Sequence, residues 1–309
     1  MRDDTRPGTI AAWIMAARPK TLPASTSGVI VGSALAFAAG HFEFLPALAA
    51  FVVALALQIA SNFANDVFDF ESGADAKRAH GPTRVTQSGI LSPSQVKAGL
   101  LLVIGLAALA GLWLVVHALA VAPGSWPWLL ATGALAIVSS VAYTAGPAPL
   151  SRLGLGDLFV LAFFGFAATL GSYFVQLGRA DAAPLLLSLG PGLIIVAILV
   201  VNNLRDIEED REVAKRTLAV RFGPAFAKGE YVACLVLSYL VLVLAVALGL
   251  VTPWTLLALL SAPLAAKNIG LMLTKKGAPL NEALGGTGRL SFVWALLFAA
   301  GIAVAAIIR

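Results

Sequence analysis

The chain has 309 residues, 59% of them hydrophobic and only 12% charged, with a mean hydropathy of +0.90 and a net charge of +5. A soluble domain is about 25% charged. The recurrence of apolar stretches of about 20 residues therefore excludes the soluble classes and points to membrane helices. The lone Cys234 lies in an apolar run, which excludes an internal disulfide and reads as a small core residue.

An arm over 1–21 carries Arg2, Arg6, Arg18 and Lys20, and its segment 9–17 reads as a short interfacial helix. Nine spans are predicted in order, at 22–40, 45–65, 98–121, 127–145, 157–177, 184–204, 230–250, 253–273 and 290–308. Pro263 and Lys267 interrupt the eighth, which a helix bundle tolerates. The stretch Ser33-Ala-Leu-Ala36 resembles a leader cleavage site, but the long basic arm and a clean charge bias without cleavage argue against a removable leader.

Eighteen of the 21 Lys and Arg residues fall in the arm and in the even-to-odd connections; the other three are Lys267, inside the eighth span, Arg179 and Arg309. By the positive-inside rule the N-terminus is expected on the cytoplasmic side. The net charge is thus a topology signal, and no nucleic-acid partner is expected. The fold class expected is an all-α membrane protein. Spans one to four and five to eight overlay as two four-helix halves, with a ninth helix appended and one polytopic domain over 1–309.

Each half ends its second span in Asn-x-x-x-Asp, at Asn62–Asp66 and Asn202–Asp206. Asn62, Asp66 and Asp69 share one helical face, with Asn65 beside Asp69; Asn202, Asp206 and Asp210 share another. Both spans are even-numbered, so both clusters are expected at the cytoplasmic end, where a charge costs less than at the bilayer centre. Stacked carboxylates repel and favour a cation between them. Mg²⁺ takes oxygen ligands and is commonly held by one or two carboxylates plus substrate phosphates. Asp66, Asp69, Asp206 and Asp210 are therefore the expected metal ligands, one ion per cluster, bridged by a diphosphate.

Bases flank the clusters in His80-Gly-Pro-Thr83-Arg84, at Arg205 and in Lys215-Arg216-Thr217. An Arg fork suits phosphate oxygens, so Arg84, Arg205 and Lys215 are expected on the diphosphate with Asn62, Asn65 and Asn202. Lys77, Arg78, Lys97 and Lys228 are assigned to topology. Glu71, Glu208, Glu209 and Glu212 read as solvated helix ends, with Asp75 between the two readings. The loop from Tyr143 to Asp157 is rich in Gly and Pro and must line a cavity or pack in protein. Tyr143 reads equally as an interfacial anchor or a site hydroxyl, and Asp157 as an N-cap. His41 and His117 have no partner motif and are assigned to structure.

These residues resemble the UbiA superfamily of intramembrane aromatic prenyltransferases. Within it the chain is most similar to the branch acting on 1,4-dihydroxy-2-naphthoate. The likeness rests on Asn65-Asp66 through Gly73-x-Asp75 and Gly81-Pro-Thr-Arg84; on Tyr143-Thr-x-Gly-Pro, Gly154-Leu-Gly-Asp157 and Phe163-Phe-Gly165; and on Asn202-Asn-x-Arg-Asp-x-x-x-Asp210 with Lys215-Arg-Thr-Leu-Ala-Val-Arg221. Thr287-Gly288 extends it to nearly the whole chain, and Ala214 departs from the usual Gly.

The resemblance implies nine helices around a central cavity in the cell's inner (cytoplasmic) membrane, with the active site on the cytoplasmic side. It implies Mg²⁺, a polyprenyl diphosphate donor and dihydroxynaphthoate as acceptor, with decarboxylation to demethylmenaquinol in menaquinone biosynthesis. Asp66, Asp69, Asp206, Asp210, Lys215 and Tyr143 would be the catalytic set. Transfer to another ring such as 4-hydroxybenzoate is the nearest rival, and the Tyr143 and Lys215 stretches argue against it. A transporter is the rival of another class; its sites tend to lie at the bilayer midplane, whereas these clusters close their spans. A phospholipid head-group transferase lacks its compact Asp/Gly/Arg signature here.

Overall fold

A backbone surrounded by hydrocarbon must satisfy its own polar groups, and in the computed structural model every regular element among the described residues is a helix. The described residues are 8–73, 83–146, 149–213 and 215–308, without the side chains of Ser151 and Arg152. Asp75, Lys77, Arg78 and the His80-Gly81-Pro82 stretch lie outside them, as do Pro147, Ala148 and Ala214.

The elements are α1 Thr9–Ala17, α2 Leu22–Ala38, α3 Phe44–Glu71, α4 Pro93–Ala118, α5 Trp126–Ala142, α6 Leu150–Leu153, α7 Gly156–Leu177, α8 Ala182–Arg205, α9 Ile207–Glu212, α10 Leu218–Ala247, α11 Pro253–Thr274 and α12 Leu280–Ile308. Eight helices among the described residues are long and apolar enough to cross a bilayer, and the pair α1–α2, bent by 58°, makes a ninth. The segment 9–17, expected as a short interfacial helix, is α1. It docks through Trp13, whose ring lies 5.5 Å from that of Phe63 on α3.

Two expected spans start too late. α10 begins at Leu218 rather than 230, and α12 at Leu280 rather than 290. Arg221, Lys228, Glu282 and Arg289 end the hydropathic stretch but not the helix, which keeps its internal hydrogen bonds after leaving hydrocarbon. The expected polar loop 207–229 accordingly holds α9 and the start of α10, which breaks at Gly223 (φ 85°) before Pro224. α4 starts at Pro93 behind a capping box, in which Ser92 accepts from the Gln95 N–H and the Gln95 side chain accepts from the Ser92 N–H.

The halves are α2–α5 and α7–α11. α12 packs against α2, α8 and α11, and α2 packs against α7, so both helices tie the halves together. Without a hydrophobic force between lipid-bathed helices, close packing depends on small residues. A Cβ on Gly32 of α2 would stand 2.2 Å from the Thr169 carbonyl oxygen of α7. Gly32→Val is therefore expected to destabilise the bundle by about 2 kcal/mol or more, read as a lower melting temperature of the purified protein in detergent.

The largest core is built from α8, α10 and α12 around Tyr231, Trp294 and Phe298, all fully buried. In contrast, α5 packs on α3 and α4 and has no fully buried residue.

Candidate active site

The second helix of each half delivers its polar end to one cavity of about 780 Å³. α3 contributes Gln58, Asn62 and Asn65 to the wall, and α8 contributes Asn202 and Arg205; Tyr143, Arg18, Lys20 and Asn281 line it too. The rest of the wall is mostly apolar, with scattered hydroxyls such as Ser139 and Ser140 of α5, and includes Phe159, Phe163 and Phe164 of α7. Residues Leu161–Ala167 of α7 form a π-helical stretch, a device common at functional sites, and it carries two of these three rings.

None of the four expected aspartates is on that wall among the described residues. Asp66 is 1% exposed and accepts two backbone bonds, from Val85 N–H at 3.1 Å and Thr86 N–H at 2.9 Å. Asp69, one turn on, accepts from Arg84 Nη2 at 3.0 Å. One face of α3 thus folds the returning loop onto itself, and the arginine arrives on the neighbouring carboxylate. The spacing argument placed Asp66 and Asp69 side by side as equivalent ligands; the structure gives Asp66 to the loop backbone and Asp69 to Arg84.

The second cluster sits where α8 turns into α9. Arg205, 4% exposed, makes a bidentate pair with Asp206, Nε to Oδ1 at 2.5 Å and Nη2 to Oδ2 at 2.6 Å. Its Nη1 donates to Asn281 Oδ1 of α12 at 2.7 Å. Lys215 Nζ lies 3.4 Å from Asp210 Oδ1, and its backbone N–H donates to the Asp210 carbonyl at 2.9 Å. Three of the four aspartates are therefore each met by one of the three expected bases.

Tyr143 lies between the clusters, one residue past α5, its hydroxyl 3.3 Å from where a Cβ on Gly156 would stand. Burial, then the carboxylates of Asp157, Asp210 and Asp69, hold its phenol above the ordinary range, so it remains a proton donor. Asn65 of the first cluster, Asn202 and Arg205 of the second, and Tyr143 line the same cavity. Thr144 next to it donates to Asn65 Oδ1, tying this loop to α3.

Asn62, expected on the diphosphate, lines the cavity and is also bonded within the protein. Its Nδ2 donates to the Ala17 carbonyl at 2.9 Å and to Thr21 Oγ1 at 3.2 Å, and Gln58 Nε2 donates to its oxygen at 3.3 Å. It staples the corner between α1 and α2. At that corner Arg18 takes φ 52°, a left-handed backbone that a residue other than Gly adopts at some cost. Sequence reasoning missed Arg18, Lys20 and Asn281 as wall residues. The αL turn at Arg18-Pro19-Lys20 brings the first two inward, and no periodicity marks it.

Other expectations resolve simply. Asp157 is in the first turn of α7, where the helix dipole favours an acid, and is not its N-cap, which is Leu155. Glu71 pairs with Lys97 and Glu208 with Arg211 at exposed positions, which are worth little. His117 does have partners: it stacks on Trp113 and its Nε2 lies 3.5 Å from Glu43 Oε2.

The donors at this end are carboxylate and amide oxygens, the chemistry a hard Mg²⁺ ion takes. Among the described residues no three acidic, imidazole or thiol groups converge on one point. A metal here would be held by carboxylates of one cluster completed by other oxygens.

An apolar bundle enclosing a cavity with a basic, amide-lined polar end, the acidic clusters packed beside it, marks an integral membrane protein with room for an amphiphile. The chain belongs to the UbiA prenyltransferase family, which it matches over residues 26–296. It is 42% identical to the 1,4-dihydroxy-2-naphthoate octaprenyltransferase of Escherichia coli K12, covering 83% of each chain. It is 37% identical to the protein of that name from Mycobacterium tuberculosis, covering 96% of this chain and 98% of the relative. A UbiA homologue from Archaeoglobus fulgidus solved with GPP and Mg²⁺ has the same fold, with TM-score 0.56 and 14% identity over 94% of this chain and 99% of that one.

Proposed function

We propose that this protein transfers a polyprenyl group from a polyprenyl diphosphate to 1,4-dihydroxy-2-naphthoate, with loss of the acceptor carboxylate, giving demethylmenaquinol for menaquinone biosynthesis. The observation that carries the reading is the pairing of Asp69, Asp206 and Asp210 with Arg84, Arg205 and Lys215, at the ends of the two helices whose Asn65, Asn202 and Arg205 line one cavity. The similarity to dihydroxynaphthoate octaprenyltransferases supports the choice of acceptor.

Arg84, Arg205 and Lys215 hold the diphosphate, with the amides of Asn65 and Asn202 on the wall beside it. Asp69 in one cluster, and Asp206 and Asp210 in the other, would each hold a Mg²⁺ ion completed by other oxygens, and Asp66 fixes the loop that carries Arg84. Such ions would supply positive charge to the diphosphate as it departs. The allylic C–O bond breaks, and the aromatic rings of Phe159, Phe163 and Phe164 face the cationic carbon in a cavity whose apolar walls exclude water. The ring carbon bearing the carboxylate forms the new C–C bond. Carbon dioxide then leaves, and its bonding pair restores the aromatic ring. The Tyr143 hydroxyl is positioned to donate to an oxygen of the acceptor or of diphosphate. The isoprenoid tail leaves sideways into lipid between α5 and α7.

One domain spans 1–309, lying in the inner membrane with the N-terminus and the polar end of the cavity on the cytoplasmic side, as the basic connections favour. The test is purified protein in lipid with Mg²⁺, a polyprenyl diphosphate and dihydroxynaphthoate. Prenylated naphthol should form, EDTA should stop it, and excess Mg²⁺ should restore it. Turnover of 4-hydroxybenzoate without turnover of dihydroxynaphthoate would overturn the assignment.

A further inference from the structure

A second cleft, of about 480 Å³, opens where the start of α2, the second part of α11 and the start of α12 meet. It shares Lys20, Asn281 and Gly285 with the main cavity, so the two spaces adjoin across α12. Its polar rim carries Lys20, Lys267 and Arg289 against one acid, Glu282, which pairs with Lys267 at 3.0 Å. Asn268 on its wall is 1% exposed, and its Nδ2 has no hydrogen-bond partner among the described residues. A buried amide N–H without an acceptor is costly, and an anionic or carbonyl oxygen in the cleft would supply one. The amide lies on Gly286, where an added Cβ would stand 2.2 Å from its Oδ1. At Gly285, between the two spaces, an added Cβ would meet nothing within 4 Å. Where the two spaces adjoin, Gly285 presents backbone with no side chain beside Lys20 and Asn281, and Phe292 lies on the cleft wall.

We propose that this cleft is the vestibule in which the planar aromatic carboxylate docks, its anion held by Arg289 and Lys20 and its oxygen by Asn268, before passing Gly285 into the cavity. The inference rests on the acceptor reading above. An isoprenoid donor does not fit, because the cleft offers few apolar side chains. An anionic lipid headgroup would match the bases, but would give no reason for the cleft to adjoin the main cavity at Gly285.

Gly285→Leu fills the passage without meeting a neighbour at Cβ, and Arg289→Gln removes charge from a residue that lines the cleft alone. Both should raise KM for dihydroxynaphthoate roughly ten-fold, the worth of one charge-assisted contact, with KM for the polyprenyl diphosphate unchanged. The neutral 1,4-naphthalenediol, used as an inhibitor, should weaken against Gly285→Leu and not against Arg289→Gln. An unchanged acceptor KM in both variants overturns the proposal, as does a loss confined to the donor. A loss that appears only when phosphatidylglycerol is present in the vesicles makes the cleft a lipid site and also overturns it. If Gly285→Leu does not fold, Arg289→Gln decides. If the wild type shows no transfer at all, the functional reading fails. Dihydroxynaphthoate binding without donor, read by tryptophan fluorescence for wild type and Arg289→Gln, then judges the cleft separately.

Discussion

Asp69→Asn is expected to reduce prenyl transfer by at least about a thousand-fold, the loss seen when a preorganised electrostatic group at a developing charge is removed. Asp69 is 6% exposed, and its Oδ2 receives Arg84 at 3.0 Å. The amide keeps the shape and one acceptor but surrenders the charge that pairs with Arg84 and that a Mg²⁺ ion bound as proposed would need. The cost should therefore fall on kcat and on the Mg²⁺ concentration for half-maximal rate, more than on naphthoate KM. Stability should fall as well, because Arg84 is 6% exposed and loses the opposite charge beside it. Steady-state rates across a Mg²⁺ titration, with a melting curve in detergent, check both parts. A variant retaining a tenth or more of wild-type turnover would remove Asp69 from the metal set.

Arg205→Lys is expected to cost about a hundred-fold in turnover, although it keeps the charge. The guanidinium makes three bonds in two directions, a fork onto Asp206 and one contact to Asn281 on α12. A lysine ammonium cannot span that geometry. The loss should appear in KM for the polyprenyl diphosphate together with kcat, since the same head lines the cavity. Asn281→Ala, which removes only the tether to α12, should cost less than Arg205→Lys. Equal losses would mean that the tether, and not the fork, is what matters.

The two acidic clusters were legible because a helix repeats every three to four residues, so Asn62, Asp66 and Asp69 could be placed on one face before any contact was known. What spacing cannot supply is the partner across the chain. Asp66 binds amides 19 and 20 residues later, and Asn62 binds Ala17 and Thr21, 45 and 41 residues earlier. A polar residue facing one way along a helix reads the same whether it meets a ligand or a neighbouring loop. The span count was legible for a similar reason: twenty apolar residues have few other uses. The starts of α10 and α12 were not, because Arg221 and Glu282 mark the edge of hydrocarbon while the helices run on through it. The π-helical turn at Leu161–Ala167 and the left-handed Arg18 have no sequence mark at all, being set by what packs against them.

α5 packs on α3 and α4 and buries none of its residues completely. A pocket closed at its far end works as a ruler, admitting substrates up to a fixed length. If the tail passes out beside α5 as proposed, no end wall would measure it. Donors longer or shorter by several isoprene units should present the same reacting carbon to the same residues at the same rate. The length of the side chain on the finished quinone would then be decided by the enzyme that builds the donor, and this protein would attach whatever it is given.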